Sequence, residues 1–69
     1  MTEKTFVLDF DKLAEDVEIA VVFQPREEWK YGIRTYDKES MRHRIWRRYQ
    51  SYGECLSVFQ LVMELRKAY

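Results

Sequence analysis

From Thr5 onward, large apolar side chains recur at every second position, and this alternation excludes an all-helical fold for the first half of the chain. Over residues 5–10, Phe6, Leu8 and Phe10 share one face and Thr5, Val7 and Asp9 the other, as a half-buried strand requires. A second strand is expected over 17–24, with Val17, Ile19, Val21 and Phe23 toward a core. Its other face, with Ala20 and Val22, is less polar than usual. The intervening segment 11–16 is too long for a two-residue hairpin and reads as one helical turn. Pro25 ends the second strand because it cannot donate to a ladder. A third strand is expected over 29–36, with Trp29, Tyr31, Ile33 and Thr35 on one side. The charged loop Arg26-Glu27-Glu28 makes this an antiparallel hairpin, and Gly32 marks a bulge or a point where something large packs on the backbone.

After Asp37 the spacing lengthens. Asp37 has the chemistry of a helix N-cap, with Glu39 in the first turn, and Met41, Ile45, Tyr49 and Tyr52 fall on one helical stripe. Ser51-Tyr52-Gly53-Glu54 carries the S-x-x-E pattern of a capping box and divides this half into helices over 38–51 and 54–68. Ile45, Tyr49, Tyr52, Leu56, Phe59 and Met63 also keep one seam across that break, so a single long helix is the competing arrangement. The fold class is therefore α+β: one domain over 1–69, a three-stranded antiparallel sheet with one or two C-terminal helices on one face.

With 69 residues, such a domain buries roughly 60% of its unfolded surface. One cysteine and one histidine provide neither an internal disulfide nor a complete zinc site to staple it. Aromatic residues make up 16% of the chain, which rules out a disordered polymer. The tail from Cys55 is apolar around much of its circumference: Val58, Val62, Leu65 and Tyr69 form one stripe, Leu56, Phe59 and Met63 another. A three-stranded sheet covers only one of them. The expectation is a homodimer, with self-association through Leu56, Phe59, Val62 and Met63.

Little here supports catalysis. Val7-Leu8-Asp9-Phe10-Asp11 resembles the first, Mg²⁺-holding motif of the haloacid dehalogenase superfamily over these five residues. Leu13 stands where that motif usually has threonine, and the chain is too short for that fold's parallel sheet. Asp9 and Asp11 are accordingly read as solvating a strand end and starting a turn. Cys55 and His43 are the sole thiol–imidazole pair. No third group is placed to orient the ring, and no glycine-rich stretch supplies oxyanion donors. No catalytic residue, metal or cofactor is assigned.

The segment Arg42-His43-Arg44-Ile45-Trp46-Arg47-Arg48-Tyr49 has the composition of a binding surface, and Arg44, Trp46, Arg47 and Arg48 are the expected docking residues. Formal charge is zero and the pI near 6.6, whereas nucleic-acid domains commonly exceed about 9. The charge is unevenly placed, however: residues 1–30 hold eight acids and four bases, a net of −4, which leaves +4 for the rest. Such polarity steers a charged partner or a second copy. The reading is a small, non-catalytic regulatory protein that docks on another protein, with a nucleic-acid-binding regulator as the alternative. Compact cofactor-free chains of this kind occur among phage and mobile-element proteins. The lone cysteine, the acidic start Met-Thr-Glu-Lys and a longest apolar run of five residues (Ile19–Phe23) point to the cytosol and away from a membrane.

Overall fold

The computed structural model describes residues 4–68. Four strands, β1 (Phe6–Ala14), β2 (Val17–Phe23), β3 (Tyr31–Asp37) and β4 (Arg42–Tyr49), precede one helix, α1 (Tyr52–Ala68). The strands pair antiparallel in chain order, so β1 and β4 are the two free edges. The class is α+β, with four strands where three were expected and one helix where two were.

The helix lies against β2, β3 and β4, and the core is the layer between them. Ile19, Val21 and Ile33 from the sheet meet Cys55, Phe59 and Met63, spaced four apart on one face of α1, with Tyr49 closing the end. Leu13, Leu56, Val58 and Val62 pack around this centre. Two contacts hold α1 to the edge strand β1: the Tyr52 hydroxyl donates to Asp9 Oδ2 at 2.5 Å, and Arg66 Nε donates to the Leu13 carbonyl at 2.6 Å. The hydrogen bond to Asp9 raises the Tyr52 pKa, because the neighbouring carboxylate opposes loss of the phenolic proton.

The helix expected over 38–51 is absent, and residues 42–49 form β4 instead. Asp37 does accept backbone hydrogens, from Glu39 N at 2.9 Å and Ser40 N at 3.4 Å, but it caps a turn. The same side-chain chemistry serves a helix start and an Asx turn. Met41, at φ 59°, supplies the left-handed residue that returns the chain into β4. Within β4, a bulge at Trp46 lets Arg47 oppose Ile33 while Ile45 opposes Arg34. The extra residue shifts the two-residue phase, so Arg44 and Arg47 share a face three residues apart, while Ile45 and Tyr49, four apart on the expected helical stripe, fall on opposite faces of the sheet.

Bulges explain the first strand as well. Register shifts at Leu8 and Leu13 place Phe6, Asp9 and Asp11 on the helix side and Val7, Phe10 and Lys12 on the other, so Phe6, Leu8 and Phe10 are no core stripe. They are 49%, 43% and 60% exposed. The segment 11–16 makes no helical turn: β1 runs to Ala14 and turns at Glu15-Asp16. Trp29 precedes β3 and is exposed.

The division at Ser51 is as the capping box implies, since Glu54 N donates to Ser51 Oγ at 3.2 Å and α1 begins at Tyr52. Gly53 sits in the first helical turn with negative φ and open space around the position of a Cβ. Gly53→Ala is therefore expected to stabilise the protein by about 0.5–1 kcal/mol, read as a higher urea midpoint, because alanine restricts the unfolded chain at no steric cost.

The fourth strand also changes the account of the tail. Phe59 and Met63 are 7% and 6% exposed inside the monomer's own core, with Leu56 and Val62 half-buried beside them. The wider sheet covers the apolar arc that three strands would have left open, so these four residues do not form a free surface for a second copy. Tyr52, Leu61 and Leu65 are the exposed large apolar residues of α1 among those described; Tyr69, assigned to the stripe of Val58, Val62 and Leu65, and Met1-Thr2-Glu3 lie outside the described residues.

Candidate functional site

One helix covers one face of the sheet. The molecule measures 36 × 28 × 15 Å, and its thin dimension matches one sheet and one helix, leaving the second sheet face without a layer over it. That face is not the charged surface a solvated sheet usually presents. Ala20 and Val22, on the outward side of β2, are 6% and 0% exposed although no element lies above them. Their shelter comes from neighbours on adjacent strands. Gly32 lies between Val22 and Arg48 in its row, and the Val22 methyl and the Arg48 stem stand 3.7 and 3.8 Å from where its Cβ would be, close enough to flank the strand on this face. Neither role expected of Gly32 is seen: the bulge lies on the neighbouring strand at Trp46, and a Cβ at Gly32 would meet its surroundings at ordinary contact distances.

Arg48 extends over this face with Nη2 3.6 Å from Glu27 Oε1, while its Nη1 is buried without a hydrogen-bond partner. Farther along, Val7, Phe10, Ala20 and Tyr36 form the apolar wall of a groove of about 250 Å³, with Glu18, Arg34 and His43 at its polar margin. Val7 and Phe10 are 51% and 60% exposed. Glu18 is paired with Lys38 at 3.4 Å, and the His43 ring stacks on Tyr36 at 4.5 Å between centroids. Arg34, half-buried, has no ion-pair partner among the described residues. The groove thus offers grease with one uncommitted guanidinium.

The four expected docking residues do not share one face of the sheet. All lie on β4, but Arg44 and Arg47 project on the helix side and Arg48 on the open side, because their partners are Thr35, Ile33 and Gly32 respectively. Arg47 lies over the Tyr49 ring, 5.7 Å from its centroid. Trp46, at the bulge and 48% exposed, lines a second cleft of about 460 Å³ with Arg42, Arg44, Thr35 and Asp37, and His43 borders both this cleft and the groove. Cys55 and His43 lie on opposite sides of the sheet, one in the core beneath α1 and the other at the open groove, so no thiol–imidazole pair forms. Asp9 and Asp11 stand within β1, not at its end, and no three metal-ligating side chains cluster among the described residues.

Sequence reasoning missed the groove, although one signal was present: Ala20 and Val22, two apolar residues on the face of β2 that should have been polar. No helix among the described residues is long and apolar enough to cross a membrane. No protein-family model matches the chain, and neither the curated proteins nor the solved structures contain a match to it.

Proposed function

We propose that this chain is a non-catalytic binding protein that docks an apolar segment of a protein partner, carrying an acidic residue, on the uncovered face of its sheet. The observation that supports this most directly is the groove of Val7, Phe10, Ala20 and Tyr36 beside Arg34, which has no ion-pair partner among the described residues. Burying Phe10 alone is worth about 1.5–3 kcal/mol, and a charge-assisted bond to Arg34 adds a comparable amount. Together these amount to about 3–6 kcal/mol, a weak contact with a dissociation constant of roughly tens of micromolar to several millimolar before the cost of association is counted, so further apolar contacts along the groove must contribute to any tighter binding. The lone Cys55 thiol suits work in a reducing compartment such as the cytoplasm.

A nucleic-acid role rests on Arg42, Arg44 and Trp46, and the cleft they line also contains Asp37, whose carboxylate opposes a phosphate. The protein reading is therefore the favoured one. Selection of random peptides on the immobilised protein is expected to enrich sequences that combine apolar residues with Asp or Glu. Phe10→Ser and Arg34→Gln should each weaken the selected peptides about tenfold while far-ultraviolet dichroism stays native. No enrichment, or peptides indifferent to both substitutions, would remove the proposal. So would oligonucleotides that bind at low salt and compete with the peptides.

A further inference from the structure

The sheet ends in two free edges of opposite charge, and their side chains match row by row. The three registers align Asp9, Val21, Ile33 and Arg47 in one row, then Phe10, Ala20, Arg34 and Ile45, then Asp11, Ile19, Thr35 and Arg44. Residues in a row share a face. Asp9 and Asp11 therefore stand on the helix side of one edge and Arg47 and Arg44 on the helix side of the other, with Phe10 and Ile45 both on the open side.

We infer that β1 of one copy pairs with β4 of the next, extending the antiparallel meander from molecule to molecule with every helix on the same side. Strand direction permits it. The meander alternates, so β4 runs opposite to β1, and a neighbour in the same orientation presents an antiparallel partner. When the rows continue across the junction, Asp9 faces Arg47, Asp11 faces Arg44, Phe10 faces Ile45 and Phe6 meets Tyr49. Charge also selects against the alternatives. Pairing β1 with β1 brings carboxylates together, and pairing β4 with β4 brings arginines together; like charges opposite one another destabilise a ladder.

The pairing is confined to part of each edge. At the far end of β1, Lys12 N is held by Asp11 Oδ1 at 2.7 Å and the Leu13 carbonyl by Arg66, so the free stretch runs from Phe6 to Asp11. The contact is heterologous, with different surfaces meeting, and nothing in it limits assembly to two chains. It leaves the open face uncovered, so the groove recurs along the row of copies and lengthens at each Phe10–Ile45 junction.

Sedimentation velocity from micromolar to near-millimolar protein tests this. At low salt the wild-type mass is expected to climb past two chains with concentration. At 1 M salt, where screening cuts the Debye length to about 3 Å, it should return toward the 8.5 kDa monomer. Asp11 and Arg44 are exposed and lie outside the core, so D11K and R44E should keep the native dichroism spectrum. Each alone is expected to weaken association about tenfold, and the double variant D11K/R44E, which re-creates an opposite-charge junction, should restore it. A wild-type protein that stays monomeric or stops at a dimer would overturn the inference. So would single variants that associate like wild type, or a double variant no better than either.

Discussion

Phe59→Ala is expected to move the urea transition at 25 °C far toward zero denaturant or to abolish it, whereas Leu61→Ala and Leu65→Ala are expected to keep the wild-type midpoint. The three residues lie within one stretch of α1 and are all large and apolar, but only Phe59 is inside, against Ile19, Val21 and Ile33; Leu61 and Leu65 are 59% and 52% exposed. Truncating a buried phenylalanine costs about 3–5 kcal/mol through lost transfer energy and the cavity left behind. A chain of 69 residues has a total stability of roughly 3–10 kcal/mol. One substitution thus removes much or all of the margin, while the exposed leucines change stability by less than about 0.5 kcal/mol. A wild-type-like transition in Phe59→Ala would show that the helix does not seal the sheet as described.

Cys55 gives the second large effect. Its side chain is fully buried, and burial, aided by the neighbouring Glu54 charge, pushes the thiol pKa from 9.0 up to about 11. At neutral pH a disulfide exchange reagent should label the native protein at least about 100-fold more slowly than the urea-unfolded chain, because access requires opening of the core. Labelling at the unfolded rate would place Cys55 at the surface. The same shift fixes a sign for pH. The folded thiol holds its proton more tightly than the unfolded one, so its contribution to stability is intact below pH 9 and is lost as pH rises from 9 to about 11. The raised pKa of Tyr52 acts in the same direction. Urea midpoints should therefore fall across that window and fall less in Cys55→Ala, with Tyr52→Phe separating the phenol's share.

Much of the β half of the fold was legible in the sequence because β2 is regular. Val17, Ile19, Val21 and Phe23 alternate without interruption, Pro25 follows the strand, and the structure ends β2 at Phe23. The edge strands were harder to read, for one physical reason. A bulge inserts a residue and reverses the phase of every side chain after it. In β1 the bulge at Leu8 moved Phe10 out of the expected core stripe, and in β4 the bulge at Trp46 turned a strand's alternation into something helix-like. Asp37 added to the error, because an aspartate that accepts two backbone hydrogens announces a turn of the chain without saying which kind. The charge polarity, in contrast, was visible from the order of acids and bases along a chain whose net charge is zero. What that order could not show is that the meander delivers it to two opposite edges.

The chain-order pairing of the strands has a consequence for how the protein is made. After β1, each strand pairs with the one synthesised just before it, so the sheet needs no crossover and can form one hairpin at a time. The lining of the core, Ile19, Val21 and Ile33, nevertheless waits for the last 17 residues of secondary structure to arrive. A nascent chain that has cleared only its four strands is a half-built sheet with a sticky interior showing. The interval before the helix emerges from the ribosome is when this protein is most in need of a chaperone.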